Sequence, residues 1–163
     1  MIDLHSHVLP ALDDGAESLE ESLEMLRMAA AAGTTDIAAT PHANDSYFFD
    51  PVVTERKLAE LRQASGDLPR LHYGCEMYLT PENIARAIRC PGEYTIDGRG
   101  YLLVELSDFQ IPRNIAEIFG QLMNAGMRPV VVHPERNPLL QADYKALQRW
   151  VEQGCVQIGR AHV

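Results

Sequence analysis

Histidine and glutamate residues recur along the 163-residue sequence where short β-forming runs end. The first run leads into His5-Ser6-His7, and alternation along a strand places both imidazoles on one face, as a shared metal ion requires. Functional groups of parallel β/α folds gather at the carboxyl ends of the strands. We therefore expect these side chains to converge on one edge with those that end the later runs: His42, Glu76, Glu105 and His133.

The types of donor predict the kind of metal site. Glu105 closes the apolar run YLLV and His133 closes PVVV, and burying such groups without a compensating charge would be costly. Imidazoles and carboxylates without paired thiolates fit Mn, Fe or Zn better than a structural zinc site made of cysteines. Several such donors at one edge of the fold favour a site with two or three ions, which activate water and bind phosphate oxygens.

Two charged segments lie next to the predicted ligands. Arg136 closely follows His133 and is predicted to grip a phosphate through its guanidinium, with a surface salt bridge to Glu135 as the alternative. The segment DDG at 13–15 is typical of a turn, and its position after the histidine pair also permits a role in orienting a ligand or as an acid. His72 starts inside its own strand without a partner pattern and is not predicted as a ligand.

Composition excludes several classes of protein. With 14 Lys plus Arg against 23 Asp plus Glu, the formal charge is -9, which disfavours general binding of nucleic acid or anionic membranes. No apolar run approaches the roughly 18 residues that span a bilayer, and MIDLHSH does not read as a signal peptide. Three cysteines without a CxxC pair suit reduced thiols in the cytoplasm.

Motifs of other phosphate chemistries are not found in the sequence. A cysteine-based phosphatase loop needs a longer Cys-to-Arg spacing than the one between Cys155 and Arg160. The patterns GxxxxGK[ST], GxGxxG and GxSxG do not occur either.

Alternating strands and helices are predicted to position the ligands. Ser18 and Glu21 form a predicted capping box at the start of a helix that ends before Gly33. Strand starts fall about 30 residues apart, the size of a β/α unit, which predicts parallel strands. Six strands leave two alternatives, an open sheet or a barrel cut short. The predicted strands are 2–5, 35–39, 70–75, 101–106, 129–133 and 155–158, and the later helices are 52–64, 81–88, 114–124 and 143–152.

Five stretches, in order, carry a resemblance to a known family: MIDLHSHVLPALDDG, ATPH, YGCEMYLTP, YLLVELS and PVVVHPERN. They resemble the PHP (polymerase and histidinol phosphatase) superfamily. Within it they are most similar to the bacterial manganese-dependent protein-tyrosine phosphatases of capsule and exopolysaccharide gene clusters, the CpsB/YwqE-like group. The resemblance implies an α/β fold, a PHP-type distorted (β/α)7 barrel that is incomplete here, with about its first five to six units.

The resemblance also implies roles for individual residues. Glu76 matches a carboxylate ligand that bridges metals, and Arg136 matches the arginine that binds phosphate. The cofactor implied is Mn²⁺, with Fe or Zn as alternatives, in two to three ions. The implied metal ligands are His5, His7, His42, Glu76, Glu105 and His133.

The activity implied is hydrolysis of phosphotyrosine by metal-bound hydroxide, on a partner tyrosine autokinase of capsule or exopolysaccharide synthesis. Two alternatives stay open: another PHP phosphoesterase, such as a histidinol-phosphate phosphatase, or an inactive metal-binding fragment. The aromatic run 47–49 either lines a mouth that accepts phosphotyrosine or packs onto the rim of the barrel.

The sequence departs from the family at its C-terminus. The family continues to an Asp-x-His motif that completes the metal site, and no such motif follows His133. We therefore expect a partial phosphatase domain at 1–157. The segment IGRAHV at 158–163 is encodable by a common sequencing-adapter string and is predicted to be a non-native tail, so His162 is not predicted as a ligand.

Overall fold

A computed structural model describes residues 1–159, so most of the predicted non-native tail, His162 included, lies outside the described residues. Strands and helices alternate along the chain, as predicted, and short 3-10 turns cover Ile96–Gly98 and Pro134–Arg136. The elements are β1 Ile2–Ser6, α1 Leu19–Ala31, β2 Asp36–Ala39, β3 His42–Ala43, α2 Pro51–Ser65, β4 Arg70–Tyr73, β5 Glu76–Tyr78, α3 Pro81–Arg89, α4 Pro91–Tyr94, β6 Tyr101–Glu105, α5 Ile115–Asn124, β7 Arg128–Val132, α6 Pro138–Ala142, α7 Tyr144–Glu152 and β8 Val156–Ile158.

All strand pairs are parallel, which confirms the prediction from the alternating pattern. The strands form two sheets, one ordered β1-β2-β4 and the other β3-β5-β6-β7-β8. Between residues 1 and 159 no strand pairing joins β1 to β8. The fold is therefore an α/β arrangement of two parallel sheets.

The predicted strand at 70–75 is wrong at its end, because β4 stops at Tyr73 and a separate strand, β5, begins at Glu76. A bend at Gly74 carries the chain from the first sheet to the second, and the segment from β2 to β3 bends beside it. A side chain at Gly74 would bring a Cβ to 2.9 Å from Cγ2 of Thr40. The two bent segments therefore approach too closely for any residue but glycine.

Local capping explains where the helices begin. The Oγ of Ser18 accepts a hydrogen bond from the backbone N–H of Glu21, and the Glu21 carboxylate accepts one from Glu17. This arrangement is the predicted capping box with one difference: the carboxylate of Glu21 accepts from the N–H of Glu17 and not from that of the capping residue, Ser18. At α3, Thr80 caps the helix and Pro81 occupies the first turn, as predicted.

The central strand β6 is buried on both faces. Leu102 and Val104 belong to the main core, which α1, α2, α5 and α7 cover, whereas Leu103 packs with Val130 and Val132 in a smaller cluster. A strand that is apolar on both sides offers polar groups only at its ends. No helix in the described part of the chain has the length and apolar character that a membrane span requires.

His72 joins a charged cluster at the amino ends of β2 and β4. Asp36 binds Arg70 through two hydrogen bonds of 2.8 and 3.1 Å, and it also lies 3.1 Å from Nε2 of His72. On its other side, Nδ1 of His72 lies 2.7 Å from Asp97. The hydrogen bond to Asp36, followed by that to Asp97, raises the pKa of His72, while Arg70 holds the pKa of Asp36 well below its usual range.

This cluster predicts a pH-dependent contribution to stability. A raised folded-state pKa means that protonated His72 stabilises fully below its unfolded pKa of about 6.5, and that this contribution disappears as pH rises through the folded-state pKa. We expect His72→Gln to lower the free energy of unfolding by about 1 kcal/mol or less at acidic pH, and by less in alkaline solution. Urea unfolding at several pH values measures the difference.

Lys145→Gln is the matched control, because it also replaces a basic residue by Gln at an exposed position. Its effect should stay constant with pH. A pH-independent effect of His72→Gln would contradict the role assigned to the cluster.

Candidate metal centre

The carboxylate of Glu76 is the centre of the site. Its side chain is fully buried at the start of β5. Oε1 lies 3.1 Å from Nε2 of His5 and 2.9 Å from Nε2 of His133. Oε2 lies 3.2 Å from Nε2 of His7 and 3.0 Å from Nδ1 of His42. One buried carboxylate thus faces four imidazole nitrogens that come from three separate segments of the chain.

The end of β1 positions the histidine pair. Thr40, which is fully buried, accepts a hydrogen bond from the N–H of Ser6 through its Oγ1 and donates its own N–H to the Ser6 carbonyl. These bonds hold the carboxyl ends of β1 and β2 together. His7 therefore comes within 4.4 Å of His42 between ring centroids.

His133 reaches Glu76 from an unusual backbone conformation. The strand β7 ends at Val132, one residue earlier than predicted, and His133 has φ 35° and ψ 47°. A left-handed conformation costs a residue other than glycine on the order of 1–3 kcal/mol. The N–H of His133 donates to the carbonyl of Ile158, 2.8 Å away, so pairing with β8 helps to hold this conformation.

Several distances fit donors that share a metal ion. Nε2 of His5 and Nε2 of His7 are 3.2 Å apart, and two nitrogens about 2.1 Å from one ion are separated by roughly 3.0–3.4 Å. Nδ1 of His42 and Oε2 of Glu76 are buried and lack a hydrogen-bond partner despite their separation of 3.0 Å. A cation facing both lone pairs would satisfy these two atoms.

Three overlapping groups have ligand atoms that all lie within 4.8 Å of one another. His7, His42 and Glu76 each belong to two of them, which fits more than one ion. His133 joins the cluster through its contact with Oε1 of Glu76. The three groups are His5 with His7 and Glu76, His7 with Asp14 and His42, and His42 with Glu76 and Glu105. With His133 added, the structure brings all six predicted ligands together.

Asp13 fixes the orientation of His7. Its Oδ2 accepts from Nδ1 of His7 at 2.7 Å and from the backbone N–H of His42 at 2.9 Å. With the proton on Nδ1, the Nε2 lone pair of His7 is free to face an ion. The turn must also hold Gly15, because a Cβ there would lie 2.0 Å from the carbonyl oxygen of His7. The segment DDG is therefore both a turn and a support for the ligands.

Asp14 is a candidate ligand that was not predicted from the sequence. Its side chain is largely exposed, and its Oδ1 lies 3.3 Å from Nε2 of His42. The only signal in the sequence was its place shortly after the histidine pair.

The three residues of the aromatic run 47–49 have different surroundings. Tyr47 stacks on the ring of His42, with centroids 5.8 Å apart, and so lies at the site. Phe49 is buried in the core. Phe48 is exposed beneath the guanidinium of Arg86, 5.0 Å from the ring centroid.

Arg136 closes the turn Pro134–Arg136 that follows His133, and its side chain is exposed. In the part of the chain that the structure describes, no contact joins its guanidinium to the predicted ligands. Its role in phosphate binding therefore stays a prediction.

Close contacts within the cluster shift the pKa values of several of its residues. Burial would raise the pKa of Glu76, but its histidine contacts, that with His133 first, hold the pKa well below its usual range. Burial would lower the pKa of His7, but its contacts with the carboxylates of Asp13 and Glu76 raise it to about 10. Burial and the neighbouring Glu76 raise the pKa of Glu105. Metal ions that bind here would displace the protons of the imidazoles.

Comparison with known families gives one match over nearly the whole chain. The family model described as "Capsular polysaccharide synthesis, CpsB/CapC" matches residues 1–162.

Curated relatives match at about one third identity. Tyrosine-protein phosphatase YwqE of Bacillus subtilis (strain 168) is 33% identical, over 94% of this chain and 62% of its own length. A putative tyrosine-protein phosphatase CapC of Staphylococcus aureus is 32% identical, over 96% and 62%. Tyrosine-protein phosphatase CpsB of Streptococcus pneumoniae is 31% identical, over 100% and 69%. The chain thus spans less than two thirds of the length of the first two.

A solved structure shares the fold. The match comes from the crystal structures of YwqE from Bacillus subtilis and CpsB from Streptococcus pneumoniae, described as unique metal-dependent tyrosine phosphatases. The TM-score is 0.85 at 29% identity, and the match covers 96% of this chain and 65% of the solved one.

The contact between Asp13 and His7 yields a test of the metal centre. We expect Asp13→Asn to weaken Mn²⁺ binding about 10- to 100-fold, because a neutral amide oxygen binds the Nδ1 proton of His7 less strongly than the carboxylate and no longer raises the basicity of the ring. Titration calorimetry measures the affinity. Asp67→Asn, at an exposed position in the turn after α2, is the control and should bind normally. Equal affinities for the two variants would contradict the orienting role of Asp13.

Proposed function

Because this chain belongs to the CpsB/CapC family of capsular polysaccharide synthesis, we propose that it is a metal-dependent protein-tyrosine phosphatase. The observation that carries the proposal is the buried Glu76 carboxylate within reach of four imidazoles. Such a cluster suits divalent cations, and the names of the curated relatives supply the phosphotyrosine chemistry.

Mn²⁺ is the proposed cofactor, in two to three ions, and Fe or Zn would suit the same donors. When bound, such ions lower the pKa of water and offset the charge of a phosphate group. His5, His7 and Glu76 would hold one ion, and a second would lie between His42 and Glu105. Arg136, which is exposed and closes the turn after His133, would bind phosphate oxygens through its guanidinium.

The proposed substrate is a phosphotyrosine protein, namely a bacterial tyrosine autokinase of capsule or exopolysaccharide synthesis. We infer a cytoplasmic location, which suits the free thiols of Cys75, Cys90 and Cys155. We also infer that the two sheets belong to a distorted (β/α)7 barrel, since the segments 36–43 and 70–78 already pass from one sheet to the other.

Substrate preference tests the proposed function. We expect the Mn²⁺-loaded chain to hydrolyse a phosphotyrosine peptide with a higher kcat/KM than histidinol phosphate, because the aromatic ring of Tyr47 lies against His42 at the site. Phosphate release measures both rates. A preference for histidinol phosphate would favour another PHP phosphoesterase, and no hydrolysis of either would favour an inactive metal-binding fragment.

The ligands should link metal content to activity. Glu105→Ala and His133→Ala are each expected to lower bound Mn²⁺ and phosphatase activity together, by about 100-fold or more, because partners of ligands already cost 10- to 100-fold. Elemental analysis beside the rate assay measures both quantities. Full metal content with lost activity would show that the residue acts in another way.

Arg136 should behave differently from the ligands. Arg136→Ala is expected to weaken inhibition by inorganic phosphate about 10- to 100-fold, the equivalent of one lost charge-assisted contact, while bound Mn²⁺ stays unchanged. Arg56→Ala, exposed on α2, is the matched control for loss of a guanidinium. Loss of metal in Arg136→Ala would overturn the phosphate-binding role.

A further inference from the structure

A cavity of about 270 Å³ opens beside Glu105, at the carboxyl ends of β5 and β6. The end of β5 and the residue after it line one side, and the end of β6 and the loop after it line the other. Besides Glu105, its lining consists of Tyr78, Leu79, Leu106, Ser107, Gln110 and Pro112.

The cavity is continuous with the candidate metal centre. Glu105 lines it and also belongs to a metal-binding group with His42 and Glu76. Oε2 of Glu105 lies 3.6 Å from Nδ1 of His42. A phosphate monoester held at this group therefore has its organic substituent within reach of the cavity.

Size and lining favour a single aromatic ring as the occupant. Pockets for drug-sized ligands measure about 300–1,000 Å³, so this cavity suits a smaller group. Leu79, Leu106 and Pro112 present apolar surface, and the ring of Tyr78 offers a partner for stacking or edge contact.

Asn137 keeps one wall of the cavity in place. It is 4% exposed, and its amide donates to the carbonyls of Leu106 and Ser107 at 3.3 and 3.0 Å. Its Oδ1 accepts from the backbone N–H groups of Leu139 and Leu140 at the start of α6. The amide and the carbonyl oxygen of its side chain thus tie the loop after β6 to the start of α6. A wall held in this way is formed before a ligand arrives, which reduces the ordering cost of binding.

We propose that this cavity, called here the ring cavity, binds the phenyl ring of phosphotyrosine while the adjacent metal centre holds its phosphate. The inference rests on the proposed phosphatase function and assigns its specificity to Leu79 and to the loop residues 106–112. Asn137 acts as a positioning residue for that loop.

Binding of two phosphonates to the Mn²⁺-loaded chain tests the ring cavity without catalysis. Phenylphosphonate carries the ring, and methylphosphonate presents the same anionic group without it. Gln110→Trp places a bulky side chain at the mouth, and we expect calorimetry to show about tenfold weaker binding of phenylphosphonate, with methylphosphonate unchanged. Leu79→Ala should weaken phenylphosphonate binding about threefold or more through lost apolar contact.

Gln63→Trp, exposed on α2, is the matched control and should change neither affinity. Circular dichroism checks the folding of each variant, and Leu79→Ala decides the matter if Gln110→Trp does not fold. Equal effects on both phosphonates, no effect on either, or no phenylphosphonate binding by the unsubstituted chain would overturn the ring cavity.

Rates of hydrolysis separate this proposal from the proposed function. A chain that hydrolyses phosphotyrosine peptide, but whose Leu79→Ala and Gln110→Trp variants keep an unchanged preference for phenylphosphonate, overturns the ring cavity alone. A chain that binds phenylphosphonate with the expected sensitivity to both variants, yet hydrolyses no phosphotyrosine, supports the ring cavity and overturns the proposed function.

Discussion

A buried negative charge imposes the main constraint on this molecule. The carboxylate of Glu76 has no exposed surface, and removal of such an ion from water costs several kcal/mol unless opposite charge is supplied close by. The imidazoles of His5, His7, His42 and His133 supply it when they are protonated, and divalent cations between these donors would supply it more strongly. Much of the architecture around the strand ends serves to bring these donors to one point.

A few local features of the fold bring the histidines to the Glu76 carboxylate. Bends at 40–41 and at 74–75 carry two segments from one sheet to the other, so that His42 and Glu76 begin new strands beside each other. Asp13 holds one histidine ring, and the unfavourable backbone of His133 is held by pairing with β8. The strain lies at the site, where a defined direction of the side chain is needed, and the apolar strands behind it supply the stability.

Much of this arrangement was predictable from the sequence. Periodicity and capping residues predicted most of the helices and the parallel strands, and the convergence of ligands followed because parallel strands end at one edge. The break at Gly74 was not predictable, because it depends on a close approach to Thr40 from a distant part of the chain. Asp14 and Asn137 were missed for a similar reason. Each lies in a segment typical of a turn or helix start, and only the folded chain shows that one approaches His42 and the other holds the loop after β6.

Anomalous diffraction from crystals grown with Mn²⁺, recorded at the manganese absorption edge, tests most directly whether the buried carboxylate and its imidazoles form a metal centre. The account predicts at least two anomalous peaks, one touching Glu76 together with His5 and His7, and another touching His42 and Glu105. A map with no peak next to Glu76, from crystals that contain Mn²⁺ elsewhere, would contradict it.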